Sequence, residues 1–442
     1  MVRSRILTFV LALLLVVPAA ASAQKDSQFT REASKYLGLG MANPDRAARH
    51  NLYAQALVHL RQGMERDAEN AKVWLMAGTV LAGLGQMREA DEAWKKAQQM
   101  HSDYAEEISE EREAAWVDAF SAAMEAMDEQ KYDEAITILE NSEIIFSGRP
   151  EALMNLGALY ANAGNKGVQG DTVNVANAKA QDAFRRAHEA TKSDLFDELT
   201  DEQKAEWLRF RELALLNIAQ IYGAMGVEAF QVGDYAGAAA EFVKAAEINP
   251  HSRDYVFNHA QSLWAQVSQL EDSLEGATPE AAAPIKAKLS ELYAQVEVLA
   301  RKSREFDPGN GNIYLIEARS VRQRGEFVGT DEARAAASQE ALKLLTAREA
   351  LPALVDGIAV QQAAEGAIVS GTLTANVTSA GTPSSPPGQP VTVTITLLGA
   401  AGQSLGEATV TVNAPAADAE APFEVTTTVT NEIAGWKYTI AR

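Results

Sequence analysis

The amino-acid sequence predicts a mainly α-helical protein, an α-solenoid of helical hairpins followed by a small all-β domain with a sandwich-like fold. Two observations indicate this fold. Large and small residues alternate at helical spacing over residues 71–104, and the same pattern recurs over residues 219–252. The chain is rich in Ala, Glu and Lys up to Leu351, and rich in Thr, Val, Gly and Pro beyond it. Repetition of this length favours stacked hairpins, because one hairpin cannot bury its apolar face alone.

The N-terminal segment, residues 1–23, is predicted to be a secretory signal peptide. Arg3 and Arg5 precede an apolar run from Ile6 to Val17, and the small residues before Gln24 suit cleavage after Ala23. The run is shorter than the ~20 apolar residues that span a bilayer, so we expect no membrane span after cleavage. A retained N-terminal anchor is the alternative. The mature protein is therefore expected to be periplasmic or secreted, in a bacterium.

The composition excludes several kinds of chemistry. The chain has no cysteine, so disulfides, thiolate metal sites and thiol nucleophiles are excluded. Its formal net charge of −21 repels phosphate backbones, which argues against a nucleic-acid partner. The six histidines show no close zinc-type spacing, and no Gly-x-Ser-x-Gly sequence is present. We expect no enzyme activity, no cofactor and no metal.

Residues 24–351 are predicted to form the helical array. The two clearest copies carry the same skeleton of aromatic, Gly and Ala positions: Trp74, Gly78, Ala90, Trp94 and Ala97 in one, and Tyr222, Gly226, Ala238, Phe242, Ala245 and Pro250 in the other. This skeleton resembles the tetratricopeptide repeat (TPR). The register gives six or seven units between Leu37 and Leu351. Mid-helix glycines cost ~1 kcal/mol relative to Ala, so we expect a partner helix to approach closely at Gly78, Gly157 and Gly226.

Local signals mark helices that depart from the standard unit. Residues 200–203 form a capping box, and Thr278 with Pro279 supplies a second helix start. These signals predict long helices over residues 201–229 and 279–305, the second paired with a helix over residues 253–274. A Gly-rich insertion is expected over residues 167–177. A phosphate-binding loop around residues 164–171 is disfavoured, because no strand precedes it and no Gly-Lys-Ser/Thr ends it.

The C-terminal part is predicted as a linker, residues 352–367, and a separate sandwich domain, residues 368–442. Residues 391–397 alternate with a period of two, which is typical of a half-buried strand. Four further strands are expected over residues 369–377, 405–412, 423–429 and 436–440. Gly371, residues 400–406 and residues 422–425 resemble the small bacterial immunoglobulin-like domains of the FxLyD family, although the Leu-Tyr-Asp signature of that family is absent.

The TPR resemblance implies a concave groove lined by the first helix of each unit. Mapped onto this chain, the groove positions are Leu75, Phe120, Met124, Met127, Met154, Phe230, Phe257, Trp264, Leu315, Arg319 and Arg322. Aromatic, Met and Arg side chains are typical of recognition surfaces. The alternative is that many of these residues pack between helices, with Arg319 and Arg322 the least suited to that role.

These features favour an exported, non-enzymatic scaffold that binds a peptide or an envelope protein in its groove. The alternative is a glycan- or small-ligand-binding module of the cell envelope, with Trp74, Trp116 or Trp264 as stacking platforms. The sequence leaves the identity of the partner and the oligomeric state open. The sequon at Asn376 would be relevant only outside bacteria.

Overall fold

The computed structural model describes residues 26–164, 172–363, 366–429 and 431–442. The chain divides into two compact units, the first ending at Ser147 and the second beginning at Gly148. The predicted signal peptide and most of the Gly-rich segment around residues 164–171 lie outside the described residues.

The described residues of the first unit, 26–147, form three antiparallel helical hairpins. Each hairpin pairs consecutive helices, and a short 3-10 turn at Ser102–Tyr104 precedes the third hairpin. The helices are α1 (Gln28–Met41), α2 (Arg46–Arg66), α3 (Ala71–Gly83), α4 (Met87–Met100), α5 (Ala105–Asp128) and α6 (Tyr132–Ile145). Ala56 and Leu60 on α2 are fully buried within this unit.

The predicted close approach at mid-helix glycines is confirmed. A β-carbon on Gly78 of α3 would lie 2.3 Å from Cδ1 of Trp94, whose ring is fully buried. The corresponding glycines of the second unit meet aromatic rings at 2.6 Å and 2.9 Å, Gly157 against Phe184 and Gly226 against Phe242. The helix-propensity cost of each glycine is therefore offset by packing a large ring against bare backbone.

The second unit begins with four more hairpins. Its helices are α7 (Pro150–Gly164), α8 (Val173–Ala190), α9 (Leu195–Glu198), α10 (Asp201–Gln231), α11 (Tyr235–Ile248), α12 (Arg253–Leu274), α13 (Pro279–Phe306), α14 (Gly311–Val328) and α15 (Asp331–Glu349). The Thr200 capping box and the Thr278 cap both form, and the three predicted long helices agree with the structure to within two residues. Helix α8 starts at Val173, inside the expected insertion, because the Thr172 hydroxyl caps it.

Beyond α15 the described chain forms six strands in two antiparallel sheets. The strands are β1 (Leu354–Ala363), β2 (Gly366–Thr374), β3 (Pro390–Leu398), β4 (Ser404–Asn413), β5 (Glu420–Thr427) and β6 (Gly435–Ala441). One sheet has the order β1-β2-β5 and the other β4-β3-β6. Strand β3 buries Val391, Val393 and Ile395 completely, as its alternation predicted.

Strand β1 corrects the predicted linker. Residues 354–363 pair with β2 instead of connecting two domains freely. The register shifts between Asp356 and Ala359, where Gly357 adopts a positive φ of 63°. This bulge interrupts the two-residue alternation, which hides the strand in the sequence.

The fold class is confirmed: the chain is an α-solenoid of TPR-like helical hairpins followed by a small all-β region. Within the second unit, helices and strands share an apolar cluster of Val256, Phe306 and Leu398. The Asn376 amide donates to the backbone carbonyls of Arg348 and Leu351 at 2.7 Å and 3.0 Å. A side chain from the β region thus caps the last helix, whose final carbonyls would otherwise lack partners.

Candidate functional site

The predicted groove residues fall in both units. In the first unit, Leu75 is only 5% exposed and belongs to the hydrophobic core, which corrects its prediction as a groove residue. Helix α3 is short and apolar, and its neighbours cover nearly every face of it. Phe120, Met124 and Met127 on α5 are partly buried, and the Phe120 ring stacks on Trp116 with centroids 5.1 Å apart.

In the second unit, the seven remaining positions differ in exposure. Met154 is partly buried, and Phe230 is 36% exposed with its ring tilted against Tyr235. Phe257 lies beneath the guanidinium of Arg253, 4.2 Å from the ring centroid. These three positions lie on three different helices, α7, α10 and α12.

Helices α12 and α14 bring a coherent set of predicted residues together. The Arg319 guanidinium lies 5.0 Å from the Trp264 ring centroid, in a cation–π contact between the two helices. Leu315, Arg319 and Arg322 follow one another at helical spacing on α14, so they share a face. Leu315 is 44% exposed, and both arginines are exposed. We call Trp264, Leu315, Arg319 and Arg322 the α12–α14 face.

Two residues that the sequence did not predict hold this face in place. The Glu271 carboxylate forms an ion pair with Arg319 at 2.6 Å and accepts a hydrogen bond from the Tyr293 hydroxyl at 2.5 Å. Burial, together with the Glu271 carboxylate, raises the pKa of Tyr293 well above its usual range, so the hydroxyl stays protonated and donates. Glu271 lies seven residues after Trp264, a spacing that places both on one helical face and could have revealed it.

Arg319 and Arg322 have different roles in this geometry. Arg319 is engaged by the Trp264 ring and by Glu271. Arg322 is exposed, and the described part of the chain shows no ion pair for it. The α12–α14 face therefore presents apolar surface and one available guanidinium, and it can bind a carboxylate beside an apolar side chain.

A second polar cluster was not predicted at all. The Tyr438 hydroxyl of β6 donates to Asp307 at 2.5 Å and accepts from the Gly309 N–H at 2.9 Å. The Asp307 carboxylate also pairs with Arg253 and accepts from the Asn310 amide. Burial raises the pKa of Tyr438 well above its usual value, so this hydroxyl remains neutral. We call Arg253, Asp307, Asn310 and Tyr438 the Asp307 cluster; it joins the helices to the sandwich.

The structure also bears on the predictions about a metal site, the sequon at Asn376 and a membrane span. No group of three His, Asp or Glu side chains that could hold a metal is found among the residues that the structure describes. The Asn376 side chain is 1% exposed and bonded to helix carbonyls, so the sequon is inaccessible to modification in this fold. Helix α10 is long and apolar enough to cross a membrane, and it packs against α7, α8 and α11 within the second unit.

The three candidate stacking platforms offer little free aromatic surface. Trp116 is 3% exposed. The Trp74 ring carries the Lys96 amine 3.9 Å from its centroid, and the Trp264 ring carries Arg319. These contacts do not favour the glycan-binding alternative at any of the three positions.

Comparison with known proteins gives similarity to helical-repeat structures at low identity. No protein-family model and no curated protein matches the sequence. The TPR domain of P58(IPK) is 15% identical, covering 72% of this chain and 94% of that one with a TM-score of 0.24. A tetratricopeptide repeat protein from Parabacteroides merdae is 12% identical, covering 71% and 99% with a TM-score of 0.19.

A third solved structure is YrrB, described as a TPR protein with an unusual peptide-binding site. It is 15% identical and covers 55% of this chain and 97% of its own, with a TM-score of 0.20. At these TM-scores the likeness does not extend to function. The FxLyD resemblance of the β region remains a prediction.

Proposed function

We propose that this protein is a non-enzymatic scaffold of the bacterial cell envelope that binds a peptide segment of a partner protein on the α12–α14 face. The observation that carries the proposal is the cation–π pair of Arg319 and Trp264, fixed by Glu271 beside the exposed Leu315. Trp and Arg are the residue types that dominate binding energy at protein interfaces. Because Glu271 and Tyr293 already orient Arg319, little side-chain entropy is lost when a partner binds.

The geometry also indicates the chemistry of the peptide. The exposed Leu315 offers apolar contact beside the partly buried Trp264, and Arg322 offers a charge. Leu315 and Arg322 lie seven residues, or about two turns, apart on α14. We therefore propose a partner peptide with an apolar anchor and a carboxylate about two helical turns or three extended residues away. An Arg–carboxylate pair at the rim of an apolar contact fixes the orientation of such a peptide.

A pull-down with matched charge reversals tests this proposal. The mature chain is crosslinked in envelope extract, and the captured proteins are identified by mass spectrometry. The test variant is Leu315→Asp with Arg322→Glu on α14. The control is Leu342→Asp with Lys343→Glu on α15, where Leu342 is 63% exposed and Lys343 is also exposed. Both variants change the net charge by the same amount, and both alter exposed positions. A difference in partner recovery between them is therefore not explained by net charge or by loss of folding.

The proposal predicts that at least one partner falls more than about tenfold in recovery with the α14 variant, as expected for removal of a hot spot of about 2 kcal/mol. The α15 control retains that partner. Recovery of the same proteins at the same level with both variants would mean that this face does not bind.

A further inference from the structure

The sandwich of the second unit is closed on one side and open on the other. Strands β4 and β5 lie side by side at the ends of their sheets, and the Thr427 hydroxyl donates to the Glu407 carbonyl at 3.0 Å. On the opposite side, the described strands pair β1 only with β2. A cleft of about 400 Å³ lies there, between β1, the segment leading into β6 and the start of α12.

The cleft has an apolar wall that belongs to the sandwich interior. Ile358 and Val360 lie two residues apart on β1, and Ile433 and Trp436 face them from the segment that leads into β6. Ile358, Val360 and Ile433 are only partly buried, although all three pack against the sandwich core. A partner that covers the apolar side chains on both walls of the cleft removes them from water, which makes the free energy of binding more favourable.

Strand β1 is an exposed edge. Five of its last seven residues, from Gly357 to Ala363, are exposed, and Ile358 and Val360 are half-buried. An edge strand presents unpaired backbone N–H and C=O groups along one side, which is a template for one more strand. Strand β6 differs, because α12 and α13 pack against it.

The Gln362 side chain forms hydrogen bonds across the cleft to backbone groups that an added strand could also engage. The Gln362 amide donates to the Asn431 carbonyl at 3.1 Å and accepts from the Ile433 N–H at 3.2 Å. A carbonyl and an N–H two residues apart are the groups that one residue of a parallel strand would engage. The wall of the cleft opposite β1 therefore also carries a backbone carbonyl and a backbone N–H placed as they would be for pairing with a strand. Both groups are bonded to the Gln362 side-chain amide.

We propose that this cleft binds an extended segment of a partner polypeptide, which adds to the free edge of β1 and places alternate apolar side chains between Ile358, Val360 and Ile433. The backbone pairing gives affinity and the apolar positions give specificity, as in other cases of strand addition. Asp254 lines the cleft and is 61% exposed, and one of its carboxylate oxygens pairs with Arg253 at 3.1 Å. A Lys or Arg flanking the apolar positions complements this exposed carboxylate.

This site is separate from the α12–α14 face and does not depend on it. The wall that would receive the segment is fixed, because the Asn249 amide donates to the Ala434 carbonyl at 2.7 Å and Tyr438 belongs to the Asp307 cluster. Because this wall is already fixed, the protein loses little conformational entropy when the segment binds. The conformational entropy that is lost comes mainly from the peptide.

Crosslinking at introduced cysteines tests the proposal, because the chain has none of its own. The probe is a synthetic nine-residue peptide of alternating Val and Thr, with Lys at both ends and an activated Cys in place of the central Thr. The test variant of the full mature chain is Gln361→Cys on β1. The control is Thr409→Cys on β4, also exposed, where β5 covers the edge of the sheet.

The proposal predicts that Gln361→Cys reacts at least about tenfold faster than Thr409→Cys, because strand pairing raises the local concentration of the peptide thiol. A peptide with N-methyl groups on alternate backbone amides cannot pair and should lose this preference. Equal rates at both positions, or a preference that survives N-methylation, would overturn strand addition. Rapid dimerisation of Gln361→Cys without peptide would assign the cleft to a second copy of the chain instead.

Discussion

Contacts inside the helical hairpins and contacts between the helices and the sandwich are made by different kinds of residues. Within a hairpin, an aromatic ring fills the space above a glycine, as Phe184 does over Gly157. Between α13 and β6, the buried contact is a hydrogen bond between Tyr438 and Asp307, residues 131 positions apart. The first kind is apolar and repeats along the chain, whereas the second is a buried polar pair that does not repeat and lies beside the apolar cluster of Val256, Phe306 and Leu398.

This difference has an energetic consequence. An apolar contact loses free energy in proportion to the surface or cavity that a mutation exposes. A buried charged group loses more when one partner is removed, because the other is left without compensation in a poorly solvated site. We therefore expect the Asp307 cluster to respond more strongly to single substitutions than any one hairpin contact does.

The largest effect is expected for Asp307→Ala. The substitution leaves the Arg253 guanidinium, 16% exposed, without its main partner and removes the acceptor of Tyr438. We expect a loss of about 3–5 kcal/mol in the free energy of unfolding. Urea unfolding followed by circular dichroism measures it.

Asp272→Ala on α12 is the control, because Asp272 is exposed and should cost less than about 0.5 kcal/mol. If Asp307→Ala cost no more than this control, the cluster would contribute nothing to stability and the contrast with the hairpins would be wrong.

Smaller effects are expected when two glycines of the helical hairpins are replaced by Ala. The two substitutions should change stability in opposite directions. Gly78→Ala places a β-carbon 2.3 Å from the buried Trp94 ring and should destabilise by about 1–3 kcal/mol. Gly38→Ala, also within a helix of the first unit, meets nothing within 4 Å and should stabilise by up to about 1 kcal/mol. Thermal unfolding of the two variants decides this, and a shift of the same sign in both would contradict the packing explanation.

The effect that is smallest at neutral pH concerns His259, a polar group that the helices partly bury. Burial lowers the pKa of His259 to about 4, below its usual 6.5. The unfolded state therefore binds a proton first as pH falls, so stability is lost between pH 6.5 and pH 4 and is fully present above pH 6.5. His259→Gln should remove this part of the pH dependence. Urea midpoints of both proteins at pH 7.5 and pH 4.5 measure it; the same midpoint shift in both would exclude the effect.

The hairpins could be predicted from the sequence because their contacts are local and repeat. The glycine–aromatic spacing at Gly78 and Trp94 follows from helix geometry alone, and so do the caps at Thr200 and Thr278. Strand β1 was missed because its bulge at Gly357 interrupts the alternation. An element could be predicted where its sequence pattern was regular over a few neighbouring residues, and it was missed where that pattern was interrupted.

The candidate site was predicted only in part for the same reason. Trp264 and Arg319 came from the repeat register, and the structure brings them together. The register failed at Leu75, because a position on the inner face of a repeat is exposed only where neighbouring helices leave it uncovered. The Asp307 cluster and the open edge of β1 depend on contacts between residues 131 positions apart in the first case and 69 and 71 positions apart in the second, for which a single sequence carries no periodic signal.

The most direct test of the account is whether the helices and the sandwich of the second unit unfold together. Hydrogen exchange of the full mature chain is measured by mass spectrometry at increasing urea, and protection is compared between α13–α14 and β3–β6. If the Asp307 cluster joins them, both regions lose protection at the same urea concentration, and Tyr438→Phe makes the sandwich lose protection first. Loss of protection in the sandwich at lower urea in the unmodified protein would contradict the account and would favour the separate domain that the sequence predicted.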